Sequence, residues 1–205
     1  LSFADAALQT PNIAGSDDDG TNVSIRGVFS SNSLVGGAGG SGDLSVIFYD
    51  NVPFNGRGRS YVPVNLWDVE QVEYLRGPQS INVGRSALAG AVVIRTAEPE
   101  LDGFDAAARV EYGNFNTHTA EGMVNIPVTD KLAFRVTAER SETEGYISNN
   151  IIGDETGPDS LNVRGRLLFE PNDRFRALAS IQYTDIRDGR GVYVIQDGED
   201  LNNGF

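Results

Sequence analysis

The chain has 205 residues and a formal charge of −13, with 29 acidic against 16 basic side chains. This balance argues against a nucleic-acid partner, because binding phosphates takes clustered Lys and Arg. The chain has no cysteine and a single histidine, His118, which excludes disulfides, thiolate metal sites and histidine-based metal clusters. Its 24 Gly and 8 Pro favour many short strands over a helical protein.

The first hundred residues combine short predicted strands with long Gly-rich loops. The pattern predicts one short helix over residues 2–8 and strands over residues 23–26, 44–49, 72–75 and 91–95. Residues 28–43 and 53–63 are predicted loops, and loops of this length commonly carry function. This part of the chain therefore predicts a small α+β unit.

Beyond residue 100 the pattern changes to long alternating strands. Five segments carry an apolar residue at every second position, and the first of them runs from Phe104 to Tyr112. Each is about nine to eleven residues long, the length at which a tilted strand crosses a bilayer. The other face of these strands is polar and carries Glu121, Asn125, Arg135, Thr137, Glu139, Asn162, Arg164, Arg166, Arg176 and Gln182.

The connections between these five segments alternate in length. Predicted turns at residues 113–118, 127–131 and 171–174 are short, whereas the connection over residues 141–159 is long. A soluble β-sandwich also alternates apolar and polar residues. Tight turns on every second connection are, however, typical of an outer-membrane barrel with short periplasmic turns and longer extracellular loops. The pattern favours a barrel with residues 141–159 on the outside.

One segment, residues 68–96, resembles a known family. Its sequence is DVEQVEYLRGPQSINVGRSALAGAVVIRT, in which a short strand, an Arg76-Gly77-Pro78 turn, a small-residue run and an apolar strand follow one another. This order is similar to the plug of TonB-dependent outer-membrane receptors, with their D-[IV]-E-x-[IV]-E-x-L-[RK]-G-P motif. One departure is Asn82-Val83, where the family usually has an apolar residue and a Tyr.

The resemblance implies an α+β plug domain over residues 1–99, followed over residues 100–205 by antiparallel strands of an incomplete transmembrane β-barrel. Plugged transporters use about 22 strands, so the chain is expected to be a fragment that starts inside the plug and ends after the fifth barrel strand. No signal peptide is recognised at its start.

The function implied by the resemblance is energy-coupled uptake of a scarce ligand into the periplasm. The ligand is an iron-siderophore by family analogy, with cobalamin, haem and glycans left open. The expected location is the outer membrane of a Gram-negative bacterium, in contact with outer-membrane lipid. The expected partner is a TonB-type periplasmic energy-transducing protein.

Two plug arginines, Arg26 and Arg76, are implied by the resemblance to latch the plug to barrel-wall carboxylates, because a planar guanidinium pairs bidentately in a poorly hydrated lumen. Ordinary surface arginines after a strand are the alternative. The two predicted loops offer side chains for an anionic or aromatic ligand, although solvated loops remain the alternative. These candidate ligand-contacting residues are Ser31, Asn32, Arg57, Arg59 and Tyr61.

No catalytic, cofactor or metal site is predicted. The G-x-G-x-x-G spacing of residues 37–42 leads into a strand rather than a helix, and residues 17–19 are adjacent Asp without the alternate spacing of a calcium loop. His118 lacks a nucleophile partner with a recognisable signature. We therefore expect no enzyme. The alternatives are a soluble or surface-attached β-sandwich ligand-binding module and, more weakly, a hydrolase of surface polysaccharide, for which no carboxylate pair is identified.

Overall fold

A computed structural model describes residues 6–7, 9–16, 22–29, 45–54, 66–78, 89–144, 157 and 159–187. Within these ranges the protein consists of β-strands in three sheets, plus one helical stretch at residues 6–7. No helix among the described residues is long and apolar enough to cross a membrane.

The first two sheets lie in the first hundred residues. The three-stranded sheet has the order β1-β2-β3, and the four-stranded sheet, here called the core sheet, has the order β5-β4-β7-β6. In the three-stranded sheet the strands are β1 Ile13–Ser16, β2 Asn22–Ile25 and β3 Val28–Phe29. In the core sheet they are β4 Ser45–Tyr49, β5 Val52–Phe54, β6 Val69–Arg76 and β7 Gly90–Thr96.

The middle of the core sheet is apolar on both faces. Strand β7 pairs parallel to β4 and antiparallel to β6, and its run GAVVIRT suits a strand that is covered on both sides. Ile25, Ile47, Val92 and Ile94 are fully buried in one cluster that joins the two sheets. Gly90 leaves no room for a side chain between β6 and β7, because a Cβ built there would lie 2.2 Å from the Leu75 carbonyl oxygen.

The third sheet, here called the wall sheet, is an antiparallel meander in the order β12-β11-β10-β9-β8. Its strands are β8 Asp105–Gly113, β9 Thr117–Thr129, β10 Leu132–Glu142, β11 Asp159–Asn172 and β12 Phe175–Arg187. The five long strands predicted from the alternation are therefore confirmed, and most run a few residues further than predicted.

The two faces of the wall sheet have the reverse of a soluble protein's polarity. Its apolar face is exposed, with Val110 81% and Ile181 76% accessible. Several side chains of its polar face contact the core sheet or the residues after it. The buried polar or charged side chains on this face are Thr119, Glu121, Asn125, Arg135, Thr137, Glu139, Arg164 and Arg166.

Three local predictions were wrong, each at a proline or a short strand. Pro53 was placed in a loop but lies in β5, an edge strand where the missing N–H costs no ladder bond. Pro127 was placed in a turn but lies in β9 opposite Ala133, beside a register shift that accommodates it. Residues 28–29 were predicted as loop but form β3. Of the predicted helix over residues 2–8, only residues 6–7 are described, and they are helical.

Candidate functional site

The candidate site is the contact between one edge of the core sheet and the polar face of the wall sheet. By this edge we mean the end of the core sheet at which β4 and β7 finish and β6 starts. From there the chain continues into the wall sheet. Every strand of the wall sheet contributes at least one polar side chain that binds this part of the core sheet or the residues that follow it. These side chains are Arg109, Asn125, Arg135, Arg164, Arg166 and Arg176.

Asp68 lies at the centre of this contact. Its carboxylate is 2% exposed and accepts hydrogen bonds from two guanidinium groups on neighbouring strands. Arg135 donates from Nη2 at 2.5 Å and from Nε at 3.0 and 3.1 Å. Arg164 donates from Nη2 to Oδ2 at 3.0 Å. Charge-assisted bonds of this kind are stronger than neutral ones, and the forked guanidinium of Arg135 adds geometric specificity.

The backbone also helps to aim Asp68 at the wall sheet. Asp68 has φ +56°, in the left-handed region that Asp adopts more readily than most residues, and it immediately precedes β6. Its carbonyl oxygen accepts a hydrogen bond of 2.9 Å from Ala97 N–H and one of 3.3 Å from Arg164 Nη2. The turn before β6 is therefore held to both β7 and the wall.

Tyr49, the last residue of β4, shares Arg164 with Asp68. The Arg164 guanidinium donates from Nη1 to the Tyr49 hydroxyl at 2.8 Å. Burial raises the pKa of Tyr49 to about 12, and the nearby positive charge of Arg164 only partly offsets this effect. The phenol is therefore protonated at physiological pH and serves as a neutral acceptor for the guanidinium.

Thr96, the last residue of β7, links a third arginine to a second aspartate. Arg166 Nη1 donates to the Thr96 carbonyl at 2.7 Å, to its hydroxyl at 2.8 Å and to the Ala97 carbonyl at 3.1 Å. On the other side, the Asp50 carboxylate accepts from the Thr96 N–H at 2.9 Å and from its hydroxyl at 2.6 Å. The end of β7 is thus fully hydrogen-bonded despite its burial.

The linker from the core sheet to β8 is held by an amide. Asn125 is fully buried, and its Nδ2 donates to the carbonyls of Glu100 at 2.9 Å and Gly103 at 2.8 Å. Its Oδ1 accepts from the Glu100 N–H at 2.9 Å. Closer to solvent, Glu98 forms an ion pair with Arg176 of β12.

An aromatic contact flanks Asp68 on the side of β8. The Arg109 guanidinium lies 5.4 Å from the centroid of the Trp67 ring, a cation–π distance. Arg109 Nε also donates to the buried Glu121 carboxylate at 2.5 Å. A wall arginine is thus held in place by its own cross-strand partner while it covers a side chain next to Asp68.

The residues predicted from the sequence lie elsewhere. Arg76 is exposed at the far end of β6, where Nη1 donates to the Pro11 carbonyl at 3.1 Å. Arg26 is exposed with φ +54°. Neither forms an ion pair within the part of the chain that the structure describes, so the latch stays a prediction. The candidate ligand residues lie outside the described residues: Ser31, Asn32, Arg57, Arg59 and Tyr61.

Sequence reasoning missed the role of Asp68 and the wall arginines. Asp68 was noted only as part of the motif, and Arg135, Arg164 and Arg166 only as members of a polar face. Two signals pointed to them. Three arginines lie on the alternating face of adjacent strands, and an arginine on the inner face of a barrel needs an acidic or carbonyl partner.

A family model and several known proteins match this chain. Residues 1–91 match the family model TonB-dependent Receptor Plug Domain. The ferrioxamine receptor of Yersinia enterocolitica is 29% identical over 178 residues, which cover 80% of this chain and 24% of that protein. The ferrioxamine B receptor of Salmonella typhimurium (strain LT2) is 32% identical over 109 residues, 51% of this chain and 15% of that protein. This chain therefore spans about a quarter or less of these relatives.

Solved structures match the fold over almost the whole chain. The pyoverdine outer membrane receptor of Pseudomonas aeruginosa PAO1 superposes with a TM-score of 0.70 at 19% identity, covering 90% of this chain and 25% of that one. The ferric yersiniabactin uptake receptor of Yersinia pestis gives 0.69 at 22% identity, covering 89% and 29%. The fold is therefore a plug domain with antiparallel strands of the kind found in receptor barrels, and the strands that the structure describes do not close into a barrel.

Proposed function

Because the chain belongs to the TonB-dependent receptor family through its plug domain, we propose that it forms part of an outer-membrane receptor for a ferric siderophore. The ligand binds from the outside, and a TonB-type periplasmic energy-transducing protein rearranges the plug so that the ligand enters the periplasm. Binding supplies selectivity, and the partner supplies energy. No catalytic step is part of this proposal.

The polarity of the wall sheet is the observation that carries the location. A sheet that exposes Val110 and Ile181 while burying Arg135 and Arg164 suits a lipid environment on one side and a polar plug on the other. We therefore place the wall sheet in the outer membrane of a Gram-negative bacterium, with its apolar face against lipid. A soluble β-sandwich would bury the apolar face instead.

The proposed division is a plug over residues 1–99 and barrel strands over residues 100–205. Its support is the change of sheet between Thr96, the last residue of β7, and Asp105, the first of β8. The residues between them form no strand and are held by Asn125 of β9.

The ligand proposal rests on the relatives. Two are receptors for ferrioxamine or ferrioxamine B, and two solved structures are receptors for pyoverdine and ferric yersiniabactin. All four of these receptors are named for siderophores, so a ferric siderophore is the ligand class that they share. Ferrioxamine is the first ligand to test, since both sequence relatives are named as receptors for it or for ferrioxamine B. The proposed contacts are Ser31, Asn32, Arg57, Arg59 and Tyr61.

We also propose that Arg26 and Arg76 latch the plug to carboxylates of the barrel wall. In its support, both arginines are exposed in the described part of the chain and thus available for such partners. Replacing Arg76 with Ala in the intact receptor should then lower uptake. Unchanged uptake would remove Arg76 from the latch.

The direct test is uptake of radiolabelled iron by Gram-negative cells that lack their own siderophore receptors and express the intact receptor. We expect uptake from ferrioxamine that stops when the TonB-type protein is deleted, while binding to the cell surface remains. Cobalamin and haem serve as comparison ligands. Uptake of one of these in place of ferric siderophores would leave the receptor class intact and overturn the ligand.

Binding also tests the loops. The double variant Arg57→Ala/Arg59→Ala should weaken ferrioxamine binding, since both guanidiniums are proposed to contact the ligand. Arg95→Ala is the matched control, because Arg95 is an exposed arginine of β7 whose described ion pair is with Glu73 at 3.6 Å. Equal affinity in both variants would remove Arg57 and Arg59 from the ligand site.

A further inference from the structure

We infer that Asp68 is a positioning residue that anchors one edge of the plug to the barrel wall and keeps it there while the ligand passes. The anchor itself follows from the geometry, whereas its role during ligand passage rests on the proposed function. It assigns to the plug an acidic group held by wall arginines. The predicted latch has the opposite polarity, with plug arginines and wall carboxylates.

The anchor is built from one carboxylate and two guanidiniums. The side chains of Asp68, Arg135 and Arg164 are 2%, 7% and 3% exposed, so water screens none of them effectively. Arg135 and Arg164 come from the neighbouring strands β10 and β11, which places Asp68 across the seam between two wall strands. A single plug residue therefore bridges two neighbouring barrel strands.

Electrostatics make this contact costly to break. If Asp68 left the wall, two guanidiniums would remain in a buried setting without their carboxylate. Removing one partner of a buried pair is strongly destabilising for this reason, far more than removing a partner of an exposed pair. The contact is thus poorly suited to open and close during each transport cycle.

Neighbouring bonds hold the same edge. Arg166 binds the end of β7 through Thr96 and Ala97, and Arg164 binds the end of β4 through Tyr49. The chain itself leaves the plug at this edge and enters β8. The edge around Asp68 is therefore tied to the wall both by three arginines and covalently.

The opposite end of β6 lacks such ties among the described residues. There Arg76 is exposed and donates a hydrogen bond to Pro11, which belongs to the plug itself. Because breaking a buried ion pair costs more than breaking an exposed contact, a plug tied at both ends should rearrange first at the exposed end. We therefore assign the Asp68 edge as the fixed point of the plug during transport.

Hydrogen–deuterium exchange of the intact receptor tests the anchor. Asp68→Asn keeps the shape of the side chain and removes its charge, so the amides of β6 and β7 should exchange on the order of a hundredfold faster, as expected for local opening after loss of a buried ion pair. The amides of β8 and β9 should be unaffected. Asp102→Asn is the control, because Asp102 is an exposed aspartate of the linker.

A second variant covers the case in which Asp68→Asn fails to fold. Arg135→Lys keeps the positive charge but loses the fork that binds both carboxylate oxygens, and it should raise exchange in β6 by a smaller factor. Equal exchange in Asp68→Asn, Arg135→Lys and Asp102→Asn would overturn the anchor. This readout needs no ligand, so it stands even if the receptor proves not to transport siderophores.

Crosslinking tests whether the edge stays fixed. The chain has no cysteine, so Glu98→Cys/Arg176→Cys places one thiol on each side of the contact, at residues that are partly exposed. A short bismaleimide then joins the plug edge to β12. Uptake of iron from ferrioxamine should be the same before and after crosslinking. Loss of uptake only after crosslinking would show that the edge must detach and would overturn the assignment.

Discussion

The guanidinium of Arg164 donates a hydrogen bond of 2.8 Å to the hydroxyl of Tyr49, across 115 positions of the chain. The bond joins the end of a plug strand to the middle of a wall strand. The tyrosine stays protonated, because burial disfavours the phenolate more than the charge of Arg164 favours it.

This arrangement predicts an alkaline transition. The pKa of Tyr49 is raised to about 12 by burial in the folded state, whereas an unfolded tyrosine titrates near about 10. The stabilisation from Tyr49 is therefore fully present below about pH 10 and is lost as the pH rises toward about 12, since the unfolded chain releases its proton first. The loss should be on the order of 3 kcal/mol.

The measurement is the difference in tyrosinate absorbance between the wild-type receptor and Tyr49→Phe. The difference should titrate near pH 12 in the folded receptor and near about 10 in denaturant. A difference titrating at the same pH in both states would contradict the burial of Tyr49.

Thr96→Val should destabilise the end of β7. The change keeps the shape of the side chain but removes the hydroxyl that donates to Asp50 and accepts from Arg166. Bonds to charged groups contribute about 1.5–3 kcal/mol each, so the loss of two should lower the opening free energy of the β7 amides by about 3–6 kcal/mol in hydrogen exchange. In the control Thr129→Val, an exposed threonine loses one turn bond to Lys131, and the fall should stay below about 1 kcal/mol.

Gly90→Ala should prevent normal docking of β6 on β7. The added Cβ would lie 2.2 Å from the Leu75 carbonyl oxygen and 3.0 Å from Ile25 Cδ1, at a backbone φ of +151°. Overpacking against backbone costs about 1–3 kcal/mol, and the positive φ adds strain. Limited proteolysis should cut the plug of this variant faster than that of Gly103→Ala, where a Cβ meets no atom within 4 Å. Equal rates would contradict the close approach.

Val110→Arg should show whether the apolar face of the wall sheet meets lipid or water. Val110 points outward from β8 and is highly exposed. Facing lipid, an arginine there should cost about 2–4 kcal/mol and lower the amount of receptor that resists heat and detergent. Facing water it should have little effect. Val52→Arg on the exposed edge strand β5 is the matched control, and equal behaviour of both variants would argue against lipid at Val110.

Much of the fold was predictable because it depends on local patterns. Alternation of apolar and polar residues sets which side chains share a face of a strand, and the five wall strands followed from it. The motif around Arg76 identified the family. Two of the three errors came where a proline is tolerated for a non-local reason, with Pro53 on a sheet edge and Pro127 beside a register shift. The third was the two-residue strand β3.

The anchor was not predictable in this way. Asp68 lies 67 positions from Arg135 and 96 from Arg164. The local sequence pattern around each of these residues does not indicate that they are in contact. The sequence-based prediction placed the arginines of the latch in the plug, because guanidiniums suit buried pairing. The described structure also has buried guanidiniums, but on the wall, with the carboxylate in the plug.

The sequence by itself determined the strands, their two faces and the family, since each depends on residues close together in the chain. Only the tertiary structure decided which face is covered and which charges meet. The register of β10 against β11 places Arg135 opposite Arg166 and Thr137 opposite Arg164, so both arginines that bind Asp68 lie on one inward face. That register follows from the whole ladder of backbone hydrogen bonds, and a shift of one residue would turn these side chains outward.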